Sequence, residues 1–341
     1  MNKTKISAEI VADSLDSRGN RLTSLLITFP RIILAEINTH RMLSKNTSSS
    51  RAIPFKKMVE SVQNDPFIPI AWQKEHKGMQ GTDYIVDRSL VIHIEKDWLD
   101  ARDYAVHQAK RLSELGEVTK QLCNRLLEPF MWTTMLITGS KEGWDNFFEL
   151  RCPQYELGLR RENIYFKSKK EYQEYLKLSG FTYTVPEENW KILNKGQAEI
   201  HMMALAECIY DAVNESTPKQ LQENEWHLPM ISDLESLKLS TDDQIKLSVG
   251  RAANTSYTVV GDGKELTLEH AIKIHDKCKE LNHSSVFEHC ARAMSDKEFI
   301  SFFKGELPDE NLELVYKGRH GWCNNFKGFI PYRYMIDNNL I

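Results

Sequence analysis

The sequence predicts an α+β fold, and three patterns support this. Residues 5 to 13 and 22 to 29 alternate or run apolar on either side of the turn residues SRGN, as in a β-hairpin. Residues 97 to 116 and 197 to 213 have the apolar spacing of long helices. The 341 residues allow one large domain or two ordinary ones, and no internal repeat divides them. We therefore expect a mixed fold that opens with a hairpin.

The composition excludes several classes of protein. With 41% hydrophobic and 27% charged residues, the chain is typical of folded globular proteins. Its formal net charge of -4 argues against sequence-independent binding to duplex nucleic acid. The six cysteines form no Cys-x-x-Cys pair, which indicates reduced thiols. No apolar run approaches the roughly 20 residues of a membrane span, so we expect a cytoplasmic protein without membrane contact.

The hairpin is followed by helical patterns and one further strand. Pro30 suits the first turn of a helix that continues through RIILAEINTHRML. Residues 55 to 94 read as irregular, the helix at 97 to 116 ends at Gly116, and a second helix, VTKQLCNRLLEPFM, follows. The segment MWTTMLIT is strand-like, and Ser140 is placed to cap the helix behind it.

The second half of the chain is less regular. Residues 152 to 195 mix charged and aromatic side chains and read as an insertion or lid, and residues 217 to 247 read as a linker with a helical tail. The segment SVGRAANTSYTVV predicts a strand, GDGKE predicts a turn, and Thr267 is expected to cap another helix. A short polar helix is expected near residues 295 to 306.

The segment THRMLSKNTSSSR, residues 39 to 51, places a run of hydroxyl residues beside an arginine. An arginine fork and short hydroxyl donors suit a phosphate ester. The residues that would form such a site are Ser44, Asn46, Thr47, Ser48, Ser49, Ser50 and Arg51. The same residues fit equally well a solvated loop whose serines cap the next helix.

Two further groups of polar residues stand out. The segment HSSVFEH, residues 283 to 289, has two histidines six positions apart, which matches neither His-x3-His nor the HExxH motif, so we expect no metal. A histidine held by a carboxylate is the structural alternative there. Arg151 and the segment GQAEIH lie at helix ends among apolar residues, where they need a polar ligand or an internal ion pair as partner.

These segments resemble the flavin-dependent thymidylate synthase family. THRMLSKNTSSSR is similar to its RHR-x7-S signature, HSSVFEH to its H-x-[ST]-P-F-E-H segment, and ELR…GQAEIH to its NLR…AQ-x-EIR segment. NTSY resembles its early R-[VT]-S-Y strand. In the family the H-x-[ST]-P-F-E-H segment comes first, whereas HSSVFEH lies last here. The resemblance therefore implies that family's α/β fold in circularly permuted form, with insertions.

The resemblance also implies a domain organisation and partners. One catalytic domain would span residues 1 to 341. Its parts would be the hairpin with the THR-x7-S segment (1–54), an insertion (55–95), helices and a strand (96–151), an insertion or lid (152–195), and a helix, the permuted segment and a tail (196–341). A homotetramer would hold FAD between subunits, with NADPH and methylenetetrahydrofolate as co-substrates.

Individual residues take roles from the matching motif positions. The residues implied to contact FAD are His40, Arg41, Asn46, Arg151, Ser256, His283, Ser285 and Glu288. Those implied to bind a pyrimidine deoxynucleotide monophosphate are Glu36, Ser48, Ser49, Ser50, Arg51 and His201, and of these Ser49, Arg51 and His201 would serve catalysis.

The family methylates carbon 5 of dUMP, with reduced flavin as hydride source and without a cysteine nucleophile. This chain departs from the family pattern on the substrate side, where Thr39 and His201 replace arginines and Glu36 replaces a glutamine. Loss of a cation that stabilises developing charge costs a factor of about 10² in rate. Two alternatives therefore stay open. The acceptor nucleotide is dUMP or dCMP, and the transferred group is methyl or hydroxymethyl. The alternative is a non-catalytic relative that binds nucleotides or nucleic acid.

Overall fold

The computed structural model describes residues 5–78, 81, 83–158, 162–256, 266–303 and 319–341, and it mixes helices and sheets. The strands are β1 (Ser7–Leu15), β2 (Arg21–Pro30), β3 (Ser44–Thr47), β4 (Trp132–Ser140), β5 (Tyr155–Gly158), β6 (Asn163–Phe166), β7 (Lys219–Gln220), β8 (Trp226–His227), β9 (Ala291–Ala293), β10 (Trp322–Cys323), β11 (Phe326–Lys327) and β12 (Phe329–Pro331). The helices are α1 (Leu34–Asn38), α2 (Phe55–Asn64), α3 (Arg88–Glu114), α4 (Lys120–Arg125), α5 (Lys141–Arg151), α6 (Lys169–Leu178), α7 (Trp190–Leu193), α8 (Ile200–Glu215), α9 (Asp233–Lys238), α10 (Thr241–Thr255), α11 (Leu268–Glu280), α12 (Asp296–Ser301) and α13 (Tyr332–Asp337).

The main core lies under a five-stranded sheet of order β3-β4-β2-β1-β7. The predicted hairpin of β1 and β2 is confirmed, and β4 pairs antiparallel with both β2 and β3. Buried side chains of the sheet, such as Ile27 and Ile137, cluster with Phe147 of α5 and Leu205 of α8. The alternation of strand residues thus gives the two helices one apolar face to cover.

A second core lies among α2, α3 and α4. The interpretation of residues 55 to 94 as irregular is wrong at both ends, because α2 buries Met58 and Val62 and α3 begins at Arg88. The Asp87 side chain caps α3 by accepting hydrogen bonds from two backbone amides of its first turn. The other end of α3 agrees with the prediction, since Gly116 follows it with a φ of 75°.

Helix α1 is shorter than the sequence predicts. It ends at Asn38, so the prediction of a helix that continues through His40 and Arg41 is wrong. The Lys45 ammonium group donates to the backbone carbonyl oxygens of Ile37 (3.3 Å), Asn38 (3.4 Å) and His40 (2.6 Å). These carbonyls take a side-chain partner in place of the next helical turn.

Helix α10 replaces the strand predicted for SVGRAANTSYTVV. Its buried residues Ile245, Val249 and Ala253 recur at helical spacing and pack in a third cluster. Gly250 lies against α11 so closely that an added Cβ would be 2.7 Å from the Cα of Ala271. The prediction of a strand is therefore wrong for residues 248–255, in which Gly and Ala, residues depleted in strands, pack closely in a helix. The rest of the predicted strand and the GDGKE turn fall in residues 257–265, outside the described residues.

Residues 152 to 195 form a small unit with its own apolar cluster, which includes Tyr155, Phe166 and Trp190. This unit contacts α8 through polar groups: the Lys169 amide and the Tyr155 hydroxyl both donate to Glu207, at 2.7 and 3.1 Å. The helix predicted from Gln197 is confirmed as α8. Within the described residues, no helix has the length and apolarity needed to cross a membrane.

Candidate functional site

A cavity of about 930 Å³ lies between the segment after β3, the end of α10 and the length of α11. Six of the residues predicted to bind ligands line it: Asn46, Ser49, Arg51, Ser256, His283 and Ser285. They come from two segments that are more than 200 residues apart in the chain. The structure therefore brings the THR-x7-S segment and the HSSVFEH segment to one space.

Backbone and amide hydrogen bonds join the two walls of the cavity. The Asn46 side-chain amide donates to the carbonyl oxygen of Ala252, and the Ser49 backbone amide donates to the carbonyl oxygen of Ser256 at 3.0 Å. The Ser256 hydroxyl donates to the Asn46 side-chain oxygen at 3.4 Å. These contacts fix the segment after β3 against the end of α10.

The serine run divides between two sides of its segment. Ser48 and Ser50 are buried, and their hydroxyls bond within the protein: Ser48 with Thr133 at 2.7 Å, Ser50 with Glu128 at 2.5 Å. Ser49 and Arg51 line the cavity, whereas Ser48 and Ser50 do not. The structure thus assigns internal hydrogen bonds to two of the predicted phosphate-binding serines.

The cavity lining is basic. It contains Arg51, His270, Lys273, Lys277 and His283, and none of its described residues is Asp or Glu. The sequence motifs missed the three members on α11. Their spacing of three and four residues could have revealed them, because such positions share one helix face. We call His270, Lys273 and Lys277 the basic stripe.

Two features hold α11 and the HSSVFEH segment in place. Thr267 caps α11 as predicted, its hydroxyl accepting a hydrogen bond from the His270 amide at 3.4 Å. His289 is fully buried and shares a 2.8 Å hydrogen bond with Thr138 of β4. Burial lowers the pKa of His289 to about 3, so it anchors the segment as a neutral ring.

Other predicted residues lie together outside the cavity lining. The Arg151 Nε–H group donates to His40 Nε2 at 2.9 Å, and Arg151 Nη1 lies 3.7 Å from Glu36. Burial, with the nearby Arg151 and Lys45 charges, lowers the pKa of His40 to about 4. Burial and the Glu199 charge raise the pKa of Glu36. We call Glu36, His40, Arg151, Glu199 and His201 the polar cluster.

His201 has both ring nitrogens occupied. Its Nδ1 lies 2.5 Å from Glu199 Oε1, and its Nε2 accepts a hydrogen bond from the Ile70 amide at 3.0 Å. The ring is buried and packs edge-on against Phe67. The structure therefore gives His201 a role in joining α8 to residues 67–70, and does not bring it into the cavity.

Two predicted contacts of the cofactor lie elsewhere. Glu288 forms an ion pair with Arg333 of α13, and neither residue lines the cavity. Arg41 is exposed, and its carbonyl oxygen accepts a hydrogen bond from the Asn325 side chain at 2.7 Å.

Comparisons with known proteins show similarity to solved structures alone. No family model matches the chain, and no curated protein matches it significantly. Two solved structures of a UMP/dUMP methylase, PolB from Streptomyces cacaoi, are similar at 14% sequence identity. The complex with 5-Br UMP has a TM-score of 0.35, with 44% of this chain and 78% of that chain covered. The complex with 5-Br dUMP has a TM-score of 0.36, with 56% and 92% covered.

Proposed function

We propose that this protein is a flavin-dependent enzyme that transfers a one-carbon unit from methylenetetrahydrofolate to carbon 5 of a pyrimidine deoxynucleotide monophosphate. One observation carries the proposal: the two segments that resemble the family's flavin and nucleotide motifs line a single basic cavity. They do so although their order along the chain is reversed relative to the family. The proposal therefore includes a circular permutation relative to the family. It also includes the homo-oligomer and the cytoplasmic location that the resemblance implies.

The cavity is suited to a dinucleotide cofactor. Ligand sites are typically clefts of about 300 to 1,000 Å³, and this one has about 930 Å³. Its lining offers hydroxyl and amide groups for ribose and base and several cations for phosphate. FAD, when bound and reduced by NADPH, would supply the hydride for a methyl product. Asn46, Ser256, His283 and Ser285 would hold and orient it.

The nucleotide phosphate is assigned to Ser49 and Arg51. Arg51 is exposed and has no hydrogen bond or ion pair to another described residue, so its guanidinium group is available for bidentate contact with a phosphate. By contrast, the half-buried Arg21, Arg251 and Arg292 each pair with a carboxylate at 2.6 Å. The acceptor is dUMP or dCMP, and the product carries a methyl or hydroxymethyl group.

Turnover tests the proposal. The purified chain is incubated with FAD, NADPH, methylenetetrahydrofolate and either dUMP or dCMP, and the nucleotides are identified by mass spectrometry. We expect a mass gain of one methyl or one hydroxymethyl group on one acceptor, and none when the folate or the flavin is omitted. Unmodified nucleotides in every mixture, with flavin bound to the protein, would contradict the proposed catalysis.

The occupied nitrogens of His201 favour a second candidate. The resemblance places an arginine at this position to polarise the pyrimidine, whereas here the ring is held by Glu199 and Ile70. A protein that binds the nucleotide without transforming it would tolerate this change. Saturable binding of dUMP or dCMP, together with no product in the turnover assay, would support this candidate.

A further inference from the structure

The basic stripe of α11 is a part of the cavity that no motif explains. His270, Lys273 and Lys277 line it from one helix face, whereas Ser49 and Arg51 line it from the segment after β3. Two separate elements therefore bring basic side chains to the cavity, and a single monophosphate at Arg51 would use only one of these groups.

The two lysines differ in their internal contacts. The Lys277 ammonium group has no hydrogen bond or ion pair to another residue in the described part of the chain. Lys273 pairs with the exposed Glu269 at 2.6 Å, four positions before it. An exposed pair of this kind contributes little to stability, so Lys273 can exchange it for a ligand at small cost.

The spacing of these lysines suits a diphosphate. Residues at i and i+4 have Cβ atoms about 5 to 6 Å apart on a helix surface. A diphosphate carries charged oxygens on two adjacent phosphorus atoms, so each ammonium group is able to contact a different phosphate. A monophosphate carries less charge and lacks the second phosphorus centre, so it would bind the two lysines more weakly than a diphosphate.

We propose that Lys273 and Lys277 form a diphosphate subsite, separate from the Ser49 and Arg51 site for a monophosphate. The inference rests on the proposed function where it names FAD as the ligand that carries the diphosphate. It goes beyond that function by assigning phosphate recognition to a helix outside the three motifs. It also predicts that the cavity prefers ADP to AMP.

The test compares ADP, AMP and FAD as ligands of the same set of proteins, with affinities measured by calorimetry. Lys277→Ala should lower the affinities for ADP and FAD by about tenfold, because one charge-assisted contact is lost. Lys273→Ala with Lys277→Ala should bring the ratio of ADP to AMP affinity close to one. Lys279→Ala is the matched control, because Lys279 is exposed on the same helix and does not line the cavity.

The outcomes separate this inference from the proposed function. FAD binding that is indifferent to the lysine substitutions would overturn the subsite and leave the flavin enzyme intact. A preference for ADP that disappears in the double variant, with no FAD binding by the unaltered chain, would support the subsite and contradict the flavin enzyme. Equal weakening of AMP and ADP would overturn the subsite, because it shows a general charge effect. Binding of none of the three would overturn both.

Discussion

The cavity and the polar cluster contain residues of the same sequence motifs but differ in how their charges are satisfied. In the polar cluster, Arg151 bonds to His40 and His201 to Glu199. In the cavity, Arg51 and Lys277 have no such partner among the described residues. The comparison teaches that a motif residue has one of two uses. It holds the fold where its polar atoms are paired, and it is available to a ligand where they are not.

The largest expected effect concerns acid stability in the polar cluster. The pKa of His40 is lowered from 6.5 to about 4, so the unfolded state binds its proton first as the pH falls. The neutral His40 ring therefore contributes its full stabilisation to the folded state above pH 6.5. This contribution to the free energy of unfolding, about 3 kcal/mol for this pKa shift, is lost as the pH falls from 6.5 to 4. We expect the free energy of unfolding, measured with urea, to fall more steeply with decreasing pH in the unaltered chain than in the His40→Gln variant.

The variant is needed because other groups act in the opposite direction. Burial raises the pKa of Glu36 and of Glu207, and such carboxyl groups favour the folded state as the pH falls. The difference between the two proteins isolates the histidine. Equal slopes of unfolding free energy between pH 7 and 4.5 would show that His40 is not the group responsible.

A pair of arginine variants sharpens the comparison directly. Arg151→Ala removes the partner of His40 and Glu36 and should lower the free energy of unfolding by about 2 kcal/mol. Arg51→Ala should leave unfolding within about 0.5 kcal/mol of the unaltered chain and weaken dUMP binding about 30-fold, the value of a charged contact. Denaturant unfolding and calorimetric titration measure the two quantities. A destabilised Arg51→Ala with unchanged nucleotide affinity would reverse the assignment.

The smallest expected effect separates two neighbouring serines. Ser49→Ala should weaken nucleotide binding by about 1 kcal/mol without a change in stability, because its hydroxyl faces the cavity. Ser48→Ala should cost about 1 kcal/mol of stability and leave binding unchanged, since the Thr133 hydroxyl and the Thr134 amide lose their partner. Identical profiles for the two variants would indicate that both hydroxyls serve the same role.

The sequence predicted those parts of the fold in which local pattern and tertiary packing agree. The opening hairpin, β4, α8 and the Thr267 cap follow from alternation, helical spacing and capping residues, and all four are present. The helix α10 was missed although its local pattern indicates it, because Ile245, Val249 and Ala253 recur at helical spacing and Ser240 caps the first turn. The end of α1 at Asn38 could not be predicted, because it depends on the Lys45 side chain, which donates to the carbonyl oxygens of Ile37 and Asn38.

The candidate site was predicted in part for a similar reason. Residue type and motif position selected Asn46, Ser49, Arg51, His283 and Ser285, which line the cavity. They also selected Ser50 and His201, whose polar atoms are used inside the protein. A sequence does not show whether a polar group already has a partner. That information comes from elements far along the chain.

The most direct test of the central claim is a titration of the purified chain with FAD, followed by flavin fluorescence. The claim is that the shared cavity is a flavin site. We expect saturable binding of about one FAD per chain, release of the intact dinucleotide on heating, and weaker binding for Lys277→Ala than for Lys279→Ala. A protein that shows no saturable change in flavin fluorescence would contradict the claim.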